Sequence, residues 1–440
     1  MQQTITQPAP RKEAYGRPKD FVETHKIIST QAGLRHAVVA SSTQAGTAAP
    51  EKEQKKQFDK LFATEAPKAR RSGVLPLQLI RELTVSGHIV GAKEENINPG
   101  SLDLTVSEEV YRVDEAFLPR PGESVASCLK EANAMRYDIA LPLERGTTYI
   151  ARLNESLALP RGVYAYCNPK SSTGRIDVFV RVVADGVARF DSITPGGFQG
   201  ALWVFINPLS FPIKLASREA LSQIRFFNED ARLSELELEL AFERDRLVWD
   251  REKKPVTYEQ MVVRDNDGSM ILTLGASGAH VGWECLGLNH ILDISRRDYY
   301  NSLDFFRPLV SKGNRVRLKQ GCFYILYTRE RLRVPPHFAA EMIPMDHRSG
   351  EFRSHYAGFI DPGWGFGSSG EGTGRPLVLE VRPIFQDVEF QDGQPVAKIR
   401  LERMFANPEL CYDELDKSNY RRESALPLLS KHFKFPEQQS

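Results

Sequence analysis

Six consecutive residues, Lys170 to Arg175, read KSSTGR. They bring an ammonium, three hydroxyls (Ser171, Ser172, Thr173), a glycine (Gly174) and a guanidinium into one short stretch. Hydroxyls and backbone N–H groups at a glycine turn can cradle phosphate oxygens while Lys and Arg neutralise their charge. The upstream glycine spacing of a Walker A loop is missing, and by itself such a cluster also reads as a surface turn. A second chemical feature is Glu380, inside the apolar run PLVLEV. Period-2 alternation turns Leu377, Leu379 and Val381 one way and Val378 and Glu380 the other. A carboxylate on a strand buried on both faces would have a raised pKa and could exchange protons near neutral pH. A solvated strand face or an ion pair is the other reading. Upstream stand HYAGFIDPGWG, His355 to Gly365, and a Gly/Ser-rich loop, Gly365 to Gly374, which could close over a ligand or turn a corner. His347 and His355 flank that turn and are read as structural.

The two features belong to two copies of one unit. Leu143, Gly146, Tyr149, Ile150, Glu155, Leu157 and Pro160 recur as Leu318, Gly321, Tyr324, Ile325, Glu330, Leu332 and Pro335, every pair offset by 175 residues. The register continues from Pro169 to Pro344, Pro208 to Pro383, Ile224 to Ile399 and Arg225 to Arg400. Such self-similarity indicates duplication of a structural unit. The copies differ where the chemistry lies. Where the first has KSSTGR the second reads MDHRSG, Met345 to Gly350; where the second has Glu380 the first has Phe205. Two independent sites would each need both features, whereas one composite site at an interface needs one of each. That asymmetry favours the catalytic reading of Glu380.

The elements that must position these residues are mostly strands. GVLPLQLIRELTVSGHI places Leu75, Leu77, Ile80, Leu83 and Ile89 on a helical period, with Gly87 as a stop. Short runs rich in Val, Ile, Tyr and Phe follow, punctuated by Gly and Pro, in the pattern of an all-β barrel or sandwich. The expected organisation is a disordered extension over 1–72 with one short helix near Lys52 to Ala63, a first domain over 73–231, a charged linker with extended and helical pieces over 232–265 and a second domain over 266–440.

Composition excludes several classes of function. The chain has 440 residues, a formal net charge of +1 and 26% charged residues, so nothing demands a polyanion such as nucleic acid. No apolar run approaches the roughly 20 residues of a membrane span, and no signal-peptide core is visible. Cysteines at 128, 167, 285, 322 and 411 form no CxxC pair. An odd, sparse set points to a reducing compartment, hence the cytoplasm, and away from a disulfide framework or structural zinc.

NPKSSTGR, HYAGFIDPGWG, LVLEV and the closing LERM…CYDELDKSNYRRESALPLLSKHF resemble the dCTP deaminases of the dUTPase-like superfamily, in the double-length bacterial form. The resemblance covers about Gly73 to Phe433. It implies a mainly β fold: a tandem pair of distorted, jelly-roll-like β-barrels with a few short helices, whose active sites form between neighbouring domains. It implies that Lys170, Ser171, Ser172 and Arg175, with Thr173 and Gly174 between them, grip a triphosphate carrying Mg2+. Asp361 in the DPG turn would contact the sugar. Glu380, flanked by Val378 and Leu379 at the base, would activate water for attack on cytosine C4 without zinc. Tyr412, Asn419 and Glu423 would close over the nucleotide, although single-domain members tend to carry Lys and Gln at the last two. Thr194 stands in the first copy where the second has Asp361. The H-x-E…P-C-x-x-C signature of zinc deaminases is missing from the sequence.

A dUTP pyrophosphatase shares this fold, but such enzymes usually show an ID…Y.G turn where this chain has IDPGWG, which favours deamination. A bifunctional enzyme releasing dUMP and a non-catalytic nucleotide binder are the remaining readings. The family's usual threefold sharing of sites cannot be completed by two domains. Either the chain associates, as a homo-oligomer, or the pair is self-sufficient.

Overall fold

Runs in which buried and exposed residues alternate, such as Thr148–Ala158, build most of this protein. The computed structural model describes residues 72–346, 349, 352–353, 358–416, 420 and 427–434. The expected tail up to residue 71 with its short helix, and likewise His347, His355, Asn419 and Glu423, lie outside them. The architecture is mainly β, with a nearly closed barrel sheet, as anticipated.

The first copy contains β1 (Ser101–Val113), β2 (Thr148–Ala158), β3 (Tyr164–Pro169), β4 (Val178–Ala184), β5 (Ser192–Ile193), β6 (Gln199–Pro208) and β7 (Ala220–Phe227). They hydrogen-bond in the order β4-β6-β2-β1-β7-β3-β5. The second copy contains β8 (Ser269–Thr273), β9 (His280–Cys285), β10 (Phe306–Val310), β11 (Tyr324–Leu332), β12 (Phe338–Ile343), β13 (Phe359–Ile360), β14 (Arg375–Pro383) and β15 (Pro395–Arg403). There β14 and β9 flank β11, and a second sheet runs β8-β15-β12-β13. Four helices accompany the described strands: α1 (Leu77–Val85), α2 (Val125–Glu131), α3 (Ser171–Gly174) and α4 (Glu235–Asp245). In α1, Leu77, Ile80 and Leu83 are buried, the stripe read from the sequence.

The residues that recur between copies prove to be scaffold. Ile150 pairs with Phe205 across β2 and β6, and Ile325 pairs with Glu380 across β11 and β14. The Glu155 carboxylate accepts from Thr105 N and Oγ1 at 2.8 and 2.7 Å; Glu330 does the same for Thr273 at 2.7 and 2.6 Å. Tyr149 Oη accepts from Glu144 N, and Tyr324 Oη from Lys319 N. Gly146 and Gly321 turn the chain at φ 75° and 71°, conformations that L side chains disfavour, and their N–H groups donate to Pro208 O and Pro383 O. Repetition thus preserved buried polar satisfaction and turn geometry.

The copies are packed into each other. Trp283, Phe305, Phe306, Phe323 and Ile325 of the second copy join the apolar core of the first. Ile213–Lys214 pairs in parallel with Leu292–Asp293 across the junction. The stretch 232–265, expected as a charged linker, carries α4, whose Leu238, Ala241 and Phe242 are buried in the second core.

Candidate active site

Helix α3 is a single turn at the end of β3, closed by Thr173 N and Gly174 N donating to Lys170 O. It therefore presents Lys170, Ser171, Ser172 and Arg175 together. Lys170 donates to Asp103 on β1. The C-terminal segment 427–434 wraps this turn: Arg175 Nη1 donates to Leu428 O at 2.9 Å, and Ser430 Oγ donates to Ser172 O at 2.7 Å. The Arg175 guanidinium lies 3.9 Å from the Tyr420 ring centroid, a cation–π contact that fixes its plane.

From the second copy, β14 projects Val378 and Glu380 toward the same place. Glu380 is 1% exposed, and its Oε1 lies 4.0 Å from Arg175 Nε. The two features that the sequence splits between copies therefore meet inside one chain. A Cβ at Gly174 would stand 3.1 Å from Glu380 Cδ, so the missing side chain is what lets the carboxyl approach α3.

Asp361 follows β13 and receives weak hydrogen bonds from Ser101 Oγ at 3.4 Å and Arg225 Nη2 at 3.3 Å. Burial pushes its carboxyl above the ordinary value, with the Arg225 charge opposing. Arg225 itself is fully buried and also binds Glu402 at 2.8 Å, Ala340 O and Ile360 O, tying β7 to the second copy. Tyr412 packs on Trp364 with centroids 4.9 Å apart. One cavity of about 280 Å3 lies here, and its wall includes Lys170, Ser171, Ser172, Arg175, Asp361, Trp364, Val378, Glu380, Tyr412 and Tyr420.

Thr173 and Leu379 are buried but do not line the cavity. Leu379 faces the second core because alternation along β14 turns it away from Glu380. Sequence reasoning missed Asp103, Gln223, Arg297 and Lys431, which also line it. The Lys431 ammonium is held below its ordinary pKa by burial and by the Lys170 charge, and Lys170, Arg175, Arg297 and Lys431 face Glu95, Asp103, Asp361 and Glu380 around the wall. Among the described residues no three His, Cys, Asp or Glu side chains assemble to hold a metal ion.

The corresponding face of the first copy is closed. Phe205 is buried in a cluster with Val125 and Leu129 of α2, and its ring meets Phe117 edge-on at 5.2 Å. Helix α2 is capped by Ser124 and anchored by Val125 N donating to Asp185 Oδ1 at 2.8 Å.

Known proteins resemble this chain along most of its described length. Residues 71–230 match the family described as 2'-deoxycytidine 5'-triphosphate deaminase (DCD) N-terminal domain, and residues 239–433 match its C-terminal domain. A solved structure, 2'-deoxycytidine 5'-triphosphate deaminase from Agrobacterium tumefaciens, is 36% identical with a TM-score of 0.69, covering 77% of this chain and all of that one. A salicylate 1,2-dioxygenase from Pseudaminobacter salicylatoxidans overlaps 82% of this chain and 95% of its own at 9% identity, but its TM-score of 0.13 carries no argument. No curated protein matches the sequence.

Proposed function

The chain belongs to the 2'-deoxycytidine 5'-triphosphate deaminase family, and from that membership we propose that it hydrolyses dCTP to dUTP and ammonia in the cavity between its two copies. The first copy grips the triphosphate through Lys170, Ser171, Ser172 and Arg175, with Lys431 and Arg297 adding charge. The second copy holds the nucleoside: Asp361 meets the deoxyribose and the β14 backbone at Val378 meets the base. Glu380 takes a proton from water as its oxygen adds to cytosine C4. It returns that proton to the amino nitrogen; the C4–N bond breaks and ammonia leaves while the remaining water proton passes from the C4 oxygen to N3, giving the uracil carbonyl. Tyr412 and Tyr420 close the cavity. Magnesium would arrive on the triphosphate oxygens.

The observation that carries this reading is the approach of Arg175 and Glu380, 4.0 Å apart, at one cavity wall. The family relationship implies a nucleotide substrate. A single chain supplies every residue named, so the homo-oligomer anticipated from the sequence would assemble sites that are already complete. Among the described residues no helix is long and apolar enough to cross a membrane. All five cysteines are unpaired, which supports a reducing compartment, and we place the reaction in the cytoplasm.

The test is to incubate purified protein with dCTP and follow ammonia and pyrophosphate separately. Ammonia should appear one-for-one with dUTP. Glu380→Gln should abolish ammonia release while dCTP affinity changes less than threefold. Conversion of dUTP to dUMP without ammonia from dCTP, or full activity in Glu380→Gln, would overturn the proposal.

A further inference from the structure

Two residues beyond Arg175 stands Asp177, and two residues beyond Glu380 on β14 stands Arg382, so Arg382 and Glu380 share one face of the strand. Arg382 Nη2 donates to the Asp177 carboxylate, from the second copy to the first. Two opposite-charge contacts thus cross the junction side by side with their polarity exchanged. In one the cation comes from the first copy; in the other it comes from the second.

Both ends of the outer pair are fixed. Asp177 is 0% exposed and adopts φ 54°. Its N–H donates to Gly174 O at 2.9 Å, its carbonyl accepts from Leu209 N at 3.0 Å, and its carboxylate accepts from Ser210 Oγ. Arg382 Nη1 donates to Gly321 O, at the glycine turn of the second copy. Neither Asp177 nor Arg382 lines the cavity. The inner pair, by contrast, is longer than a hydrogen bond, as expected of groups that must still receive water and substrate.

We propose that the Asp177–Arg382 pair sets the register between α3 and β14 and is the positioning pair for the deamination site. The exchanged polarity gives it direction. A slip of β14 by one same-face step would set Arg175 against Arg382 or Asp177 against Glu380, and like charges in a buried junction are strongly disfavoured. The counterpart of Arg382 in the first copy is Asn207, and that of Asp177 in the second is Phe352, so the pair exists only in the combination that forms the site.

This inference rests on the proposed assignment of Glu380, and the experiment separates the two. Steady-state deamination of dCTP and thermal unfolding are measured for wild type, Glu380→Gln, Arg382→Gln, Asp177→Asn, the Arg382→Gln/Asp177→Asn double variant and Arg382→Lys. Misplacing a reacting group by about 1 Å can cost about 100-fold. Each single clamp variant should lose about 10- to 100-fold in kcat with KM changed less than threefold. The double variant should lose no more than the worse single, because the partners act as one unit. Arg382→Lys, which can still donate to Asp177, should recover part of the loss. Asp177→Asn keeps side-chain volume and its Ser210 contact, so it guards against an Arg382 variant that fails to fold. If the clamp variants keep kcat within twofold while Tm falls, or if losses multiply in the double variant, the clamp is structural only. If Glu380→Gln keeps its kcat, the assignment of the site itself fails.

Discussion

A methyl group added at Gly174 would lie 3.1 Å from the Glu380 carboxyl carbon and 3.2 and 3.3 Å from its oxygens. The backbone there is helical, so alanine costs nothing in conformation, and the carboxyl must yield. Gly174→Ala should therefore fold normally and lose about 10- to 100-fold in kcat with a smaller change in KM, read by steady-state ammonia release. Unchanged kcat would mean that the carboxyl position is not critical. Glu380 was legible because a charge interrupts an apolar strand run. Arg225 carries the same signal in SQIRFF, yet its role was not read, because its partners Asp361 and Glu402 lie 136 and 177 residues away. Lys431 stands inside the closing motif and Arg297 outside every motif, and only the closed chain brings them to the cavity. Thr173 and Leu379 stand beside residues of the site, but the geometry of a helical turn and of a strand turns both inward.

Among the elements, the C-terminal segment 427–434 depends on a neutral histidine. His432 is 2% exposed, and burial holds its imidazole down to about 4, below the ordinary 6.5. The unfolded chain therefore takes up a proton as pH falls below about 6.5 while the folded chain resists, so stability is lost between about 6.5 and 4. Between pH 7 and 5 the loss from this group is about 2 kcal/mol. Urea unfolding of wild type and His432→Gln at both pH values should show the variant losing about 2 kcal/mol less than wild type. Equal losses would remove His432 from the account. This segment was legible only as a motif, whereas its contacts with α3 arise from the fold. Helix α4 shows a different obstacle. ELELELAFERD is dense in charge, so it reads as part of a linker with extended and helical pieces; as a helix it buries Leu238, Ala241 and Phe242 and leaves Leu236 and Leu240 exposed. The strands and the repeat register were read correctly because period-2 burial and the recurring Tyr, Glu and Gly positions are local signals.

For the whole molecule, the question is whether a site belongs to one chain. Arg175 and Glu380 meet within the described chain, so inactivating them on separate chains leaves no intact site anywhere. Mixed Arg175→Ala and Glu380→Gln proteins, allowed to exchange subunits, should show no ammonia release above that of either alone. Recovery toward one quarter of wild-type activity would mean that sites form between chains. The sealing of Phe205 by α2 then has a consequence for descent. A mutation introducing glutamate at 205 would place it under helix α2, and the second copy reads MDHRSG where the first has KSSTGR. Neither half can regain independence by single steps, and neither can be dispensed with. The duplication has become a ratchet: two ancestral equals are now heirs to one undivided estate, and selection can act on them only as a pair.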